Sequence, residues 1–202
     1  IVGAGSAGCV LANRLSADPD MSVLLLEAGG KDNYFWIKIP VGYLYCMNNP
    51  RTDWMFSTEA EEGLNGRALA YPRGRVLGGC SSINGMIYMR GQSRDYDQWR
   101  QLGNTGWGWD DVLPYFLKSE DQAAVPADEL HESGGEWRVE NQRLSWEVLD
   151  AFQEAAAQTG IPKTNDFNRG DNHGCGYFHV NQRTGTRVST SRAFLKPAQG
   201  RG

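Results

Sequence analysis

The sequence predicts an α/β fold that opens with a Rossmann-like dinucleotide-binding unit. Three observations carry this. Gly3-Ala4-Gly5-Ser6-Ala7-Gly8 matches GxGxxG, an amphipathic segment from about Ser6 to Ser16 follows it, and the apolar run Ser22 to Leu26 then ends on Glu27. The glycine pattern alone is weak, because 25 glycines in 202 residues will produce it by chance. Its setting makes it specific: strand before, helix after, acid at the end of the next strand.

Taken in order, Ile1-Val2-Gly3 reads as the last step of a strand already under way. There is no initiator Met, and Gln199 to Gly202 close no element, so the chain is expected to be part of a longer one. The lack of a leader therefore carries no weight. Gly3 would allow the tight turn, Gly5 the approach of a pyrophosphate, and Gly8 close helix–strand packing. The helix start at Ser6 and Ala7 would offer free N–H groups and a positive dipole end to phosphates. Ala7, Val10, Leu11 and Leu15 share one helical face, with Asn13 and Arg14 expected to turn away. Ala17-Asp18-Pro19-Asp20 marks a turn, and Ser22–Leu26 reads as a parallel strand covered on both faces. Glu27, 19 residues after Gly8, is placed to accept from both adenosine ribose hydroxyls and to repel a 2′-phosphate.

After Ala28 the periodicity lapses from Gly30 to Arg73, with weak strand signals near Trp54–Thr58 and Ala68–Tyr71. So long an irregular stretch suggests a cover over a large, permanently held cofactor, which favours FAD over a nicotinamide dinucleotide. Gly74 to Gly91 is a second glycine-rich segment without the GK[ST] ending of a phosphate loop. Its small residues, flanked by Leu77 and Ile83, suit a loop pressed against a flat ring, with the Asn84 amide meeting the heteroatoms; a loop without ligand is the alternative. Helices are expected over Asp95–Leu102 and Asp110–Glu120, the second with Asp110 as N-cap and Pro114 in its first turn. Paired Trp107 and Trp109 read as core aromatics. The polar stretch Ala123–Gly135 suggests a domain boundary. Beyond it come a strand at Glu136–Glu140, a helix from Trp146 to Thr159 ended by Gly160 and Pro162, alternation over Tyr177–Asn181, and a helix start at Thr190.

Charge and composition exclude other classes. Lys and Arg number 20 against 24 Asp and Glu, a net charge of −4, which argues against nucleic-acid binding. Apolar runs such as Val23–Leu26 fall far short of the ~18 residues of a membrane helix. Cysteines at 9, 46, 80 and 175 form no CxxC pair, so no metal site or disulfide scaffold is indicated, and a cytoplasmic location is expected, with peripheral attachment to the inner membrane left open. Asp166 to Asp171 fails as a calcium loop because its fifth position is Gly and its sixth is Asp. His131, His173 and His179 show no metal or triad spacing and are read as non-catalytic.

The second glycine-rich segment, Gly74-Arg75-Val76-Leu77-Gly78-Gly79-Cys80-Ser81-Ser82-Ile83-Asn84-Gly85-Met86, with Tyr88, Gly91 and Asp97 beyond it, resembles a signature of the glucose–methanol–choline (GMC) oxidoreductases. Ile1–Gly30 resembles the same family's FAD fingerprint, and Asp53-Trp54, Asp95–Trp99, Gly106-Trp107, Asp110–Phe116 and Thr190–Leu195 resemble further family blocks. The likeness is strongest to the choline-dehydrogenase-like and alcohol dehydrogenase branch. It implies FAD held by Gly3, Gly5, Ser6, Ala7, Gly8, Glu27 and Ala28 at one end. At the flavin side it implies Gly79, Cys80, Asn84, Gly85, Met86 and Ile87. Cys80 stands where Gly, Ser or Thr is commoner in the family. Ile83 stands where some relatives attach FAD through His, which implies non-covalent FAD here. The implied domains are an incomplete FAD-binding domain over residues 1–125, the start of an α+β substrate-binding domain over 126–186, and a return towards the FAD domain over 187–202.

The implied reaction is oxidation of a primary alcohol, choline-like, aliphatic or aromatic, to an aldehyde by hydride transfer to flavin N5. The family's base, a His with a His or Asn partner, has no counterpart in these residues, so no catalytic residue is assigned and the fragment alone is expected to be inactive. The partners implied are a small alcohol and an electron acceptor that is quinone, protein or oxygen. An NAD-dependent Rossmann dehydrogenase and a non-catalytic dinucleotide-binding module are the alternatives.

Overall fold

The computed structural model describes residues 1–201 and divides into two compact units. The first comprises Ile1–Met86 together with the segment from Thr186 onward; the second comprises Ile87–Gly185.

In the first unit, helix α1 (Ser6–Leu15) follows the opening turn. The flanking strands are reduced to a parallel bridge, Val2 with Leu26, held by Gly3 N–H to the Leu26 carbonyl at 2.7 Å and Leu26 N–H to the Ile1 carbonyl at 3.0 Å. The run Ser22–Leu26 is not covered on both faces: Leu24 is 70% exposed and Leu26 53%. The buried face of α1 also differs from the expected stripe. Gly8, Cys9, Ala12 and Asn13 are buried, whereas Leu11 and Leu15 are about half exposed. Small residues win that face because α1 packs closely on the π-helical turn Ser191–Leu195. Asn13 is inside because its Nδ2 donates to the Phe194 carbonyl at 2.8 Å, which satisfies a buried amide.

The irregular stretch contains two short helices, α2 (Phe35–Lys38) and α3 (Tyr43–Cys46), and a two-stranded antiparallel ladder, β1 (Phe56–Ser57) with β2 (Ala70–Tyr71). It is anchored in a small core of Ile37, Cys46, Val76 and Ile83. Asp53 secures its middle: the buried carboxylate accepts from the backbone N–H groups of Asn48, Met55 and Arg73 at 2.8–3.0 Å. Burial alone would raise this carboxyl, but those N–H groups hold it below the usual range.

The second unit contains α4 (Ser93–Gln101), α5 (Trp109–Ser119), β3 (Glu120–Gln122), β4 (Trp137–Asn141), α6 (Glu147–Gln158) and β5 (His179–Val180). The three strands form one sheet in the order β3-β4-β5, parallel then antiparallel. Asp110 is not the N-cap of α5. Gly108 is, with Asp111 Oδ2 accepting its N–H at 3.0 Å, and Pro114 lies inside the helix. Trp107, expected in the core, is 54% exposed and borders an aromatic cavity of about 620 Å³ with Tyr96, Tyr115 and Phe116.

A buried ionic network starts from β3. Arg90 Nη2 pairs with Glu120 Oε2 at 3.0 Å, His131 Nδ1 lies 3.1 Å from Glu120 Oε1, and His131 Nε2 lies 2.9 Å from Asp166 Oδ2. The network lies wholly within the second unit. Arg90 ties the stretch before α4 to β3.

Candidate functional site

The opening turn is built by steric necessity. Gly3 has φ +89°, a left-handed conformation open to glycine at little cost. A β-carbon on Gly8 would stand 1.9 Å from the Gly3 carbonyl oxygen, so only glycine lets α1 leave the turn at this angle. The N-cap, Gly5, provides no side-chain hydrogen bond, which leaves the first-turn amides of Ser6, Ala7 and Gly8 without a side-chain cap. Ser6 and Ala7 are exposed there, and no acidic side chain lies in that turn.

Glu27 closes the turn from the other side. Its Oε2 accepts from Ala4 N–H and its Oε1 from Gly29 N–H, both at 2.7 Å. This backbone role adds to the ribose contact expected of the residue, and each oxygen keeps a second lone pair for an incoming hydroxyl.

The second glycine-rich segment lies directly on the first. Gly78 N–H donates to the Ala4 carbonyl at 2.7 Å, and a β-carbon on Gly79 would stand 2.7 Å from Gly5 Cα. Upstream, Gly30 bridges Val76 in parallel, and Leu77 N–H donates to the Gly30 carbonyl at 3.0 Å. Gly3, Gly5, Glu27, Ala28 and Gly79 consequently border one cavity of about 610 Å³. Val2, Leu26, Trp54 and Gly74 complete the wall, and none of these four is expected from the sequence as a site residue. Trp54 had a signal only as part of the Asp53-Trp54 block; here it carries the Arg75 guanidinium 5.0 Å from its ring centre.

The remaining sequence-predicted residues are not lining residues of this cavity. Cys80 Sγ accepts from Gly74 N–H at 3.4 Å. Asn84 turns its carbonyl oxygen to its own chain, accepting from Met86 N–H at 3.0 Å and Arg187 Nη1 at 2.8 Å. That oxygen is therefore engaged by the protein. Gly85 is exposed, Met86 is buried with φ +64°, and Ile87 belongs to the second unit. The return segment is fastened to this loop by Ser81, whose Oγ lies 2.9 Å from Thr190 Oγ1 and accepts the Thr190 N–H at 2.9 Å.

None of the histidines lies in the first unit. His173 is exposed. His179 is buried and held below its ordinary value, chiefly by burial, and its Nε2 has no partner. Burial also works to lower His131, but its hydrogen bonds to Asp166 and Glu120 overcome this and push it up to about 9. Asp166, part of the rejected calcium loop, is thus an ion-pair residue that no local pattern announced.

An α/β unit with a glycine turn, an uncapped helix start and a second glycine segment over a shared cavity defines the dinucleotide-binding class of fold. The family model described as GMC oxidoreductase matches residues 1–202, and the chain belongs to that family. It is 44% identical over 205 residues to an oxygen-dependent choline dehydrogenase of Photobacterium profundum, covering 100% of this chain and 36% of that protein. It is 43% identical over 195 residues to "Alcohol dehydrogenase [acceptor]" of Pseudomonas putida, covering 96% of this chain and 35% of that protein. Among solved structures, pyridoxine 4-oxidase from "Mesorbium loti" matches with a TM-score of 0.93 at 38% identity, over 99% of this chain and 40% of that one. The chain thus spans about 36% of the length of the curated relatives it matches. No helix among the described residues is long and apolar enough to cross a membrane.

Proposed function

We propose that this chain is the cofactor-holding part of an FAD-dependent oxidoreductase acting on CH–OH groups, which oxidises a primary alcohol to an aldehyde. The observation that carries this is the common cavity of Gly3, Gly5, Glu27, Ala28 and Gly79. A Cβ at Gly79 would push the two loops apart, so the cradle depends on glycine. The donors suit the group: first-turn amides for a pyrophosphate and the outer lone pairs of Glu27 for ribose hydroxyls.

Gly3, Gly5, Ser6, Ala7, Gly8, Glu27 and Ala28 would hold the adenine half. Gly79, Cys80, Asn84, Gly85, Met86 and Ile87 would serve the flavin side. Bound there, the flavin would supply an acceptor for the hydride of the alcohol. Ile83 is buried in the apolar core with Ile37, Cys46 and Val76, which favours non-covalent retention. Residues 1–125 and 187–202 would belong to the FAD-binding domain, and 126–186 to the start of the substrate-binding domain. The pocket for the choline-like, aliphatic or aromatic alcohol would be built largely from segments beyond these residues, and the electron acceptor would be quinone, an acceptor protein or oxygen. A cytoplasmic location, with peripheral attachment to the inner membrane as the alternative, is part of this reading.

The test is the absorbance spectrum of the purified full-length protein, before and after acid precipitation. A yellow chromophore released into the supernatant supports the reading, together with reduction of an artificial acceptor by primary alcohols. A colourless protein that binds NAD, or a flavin that stays with the precipitate, overturns the corresponding part.

A further inference from the structure

Arg187 is 2% exposed and belongs to the first unit. Its Nε donates to the Ile37 carbonyl at 2.9 Å, and its Nη1 to the Ser81 carbonyl at 3.1 Å and Asn84 Oδ1 at 2.8 Å. Its Nη2 is buried without a partner. Among the described residues no carboxylate pairs with this guanidinium. A buried cation is ordinarily paired, and an orphaned donor on it is costly, so the site lacks an acceptor.

Arg187 borders a cavity of about 290 Å³ whose wall also carries Lys38, Arg192 and Lys196. The single acidic group there, Asp32, is already engaged: Lys196 Nζ pairs with its Oδ2 at 2.9 Å, and Ser191 Oγ donates to the same oxygen at 3.1 Å. Lys38, Arg187 and Arg192 are left as positive charges that no carboxylate in the wall balances. Burial holds Arg187 down at about 10, which still leaves it charged at neutral pH.

We propose that this cavity is a binding site for a small free oxyanion, a phosphate or carboxylate group, received by Arg187, Lys38 and Arg192. Guanidinium forks match the oxygens of both groups, and the volume suits an ion or the end of a small metabolite rather than a nucleotide. The inference rests on no part of the flavin reading.

The experiment titrates inorganic phosphate into the full-length protein in a non-coordinating buffer, read by calorimetry and by thermal shift. Arg187 is buried, so its variants risk misfolding; exposed Lys38 and Arg192 provide the test. Saturable binding is expected, weakened roughly fivefold by Lys38→Ala and by Arg192→Ala singly and more in the pair, with cofactor content unchanged. The proposal is overturned by no saturation up to ~10 mM phosphate. It is equally overturned by undiminished binding in the double variant, or by a full-length structure that seats one of the protein's own carboxylates on Arg187 Nη2.

Discussion

Gly79 stands so close over Gly5 that a β-carbon added to Gly79 would lie 2.7 Å from the Gly5 Cα. Two segments separated by more than seventy residues meet with no side chain between them, at the edge of the cavity that both glycines border. Gly79 also has φ +53°, so a substituted residue would carry backbone strain as well as a clash. Gly79→Ala is expected to cost about 1–3 kcal/mol and to separate the loops. The readouts are the thermal midpoint of the full-length protein and the flavin-to-protein absorbance ratio, both of which should fall. Retention of both would remove Gly79 from the cradle.

Glu27 should respond differently. Its two oxygens each accept a backbone N–H at 2.7 Å, and a glutamine amide keeps one acceptor while turning a donor against the other N–H. Glu27→Gln is expected to lose about 1–3 kcal/mol and to weaken FAD retention during gel filtration. Glu27→Asp, too short to span both donors, should do no better. Full retention of FAD in both variants would confine Glu27 to a structural role.

The His131 bridge makes the second unit alkali-sensitive. His131 is raised from its ordinary 6.5 to about 9, so its stabilisation is fully present below about 6.5 and is lost as pH rises through about 9. The groups around it are Glu120, Asp166 and Arg90, with buried His179 and the partly exposed Arg169 nearby. His131→Gln would leave two buried carboxylates short of a cation, at a cost of about 3–5 kcal/mol near neutrality. Denaturant unfolding of wild type and variant from pH 6 to 10 should show the gap narrowing as pH rises above about 6.5 and levelling off at its smallest once pH passes about 9. A gap independent of pH would mean that His131 is not protonated in the fold.

Residues 1–202 expressed alone should oxidise no alcohol and retain FAD poorly. Val2 and Leu26 are exposed at the parallel bridge bordering the candidate cavity, an apolar edge that favours association. Steady-state assays with an artificial acceptor, over several primary alcohols, provide the check. Turnover by this segment would require a base among its own residues.

The glycine turn, the start of α1, the weak strand signals near Trp54–Thr58 and Ala68–Tyr71 and the longer helices were legible because short-range sterics and periodicity encode them. The buried face of α1 was not, and periodicity is again the reason. Leu11 and Leu15 satisfy the helical stripe, but close approach of Ser191–Leu195 selects Gly8, Ala12 and Asn13 instead.

Local chemistry is written along the chain: where the backbone turns left-handed, where a helix begins without a cap, and where side chains stay small. Folding in three dimensions was needed to bring Gly79 over Gly5, to leave Arg187 with an unpartnered buried donor, and to set His131 between Glu120 and Asp166. The pairings among these join residues from 11 to more than seventy positions apart. Their energies depend on which segments exclude water together, and no neighbouring residue in the chain records that.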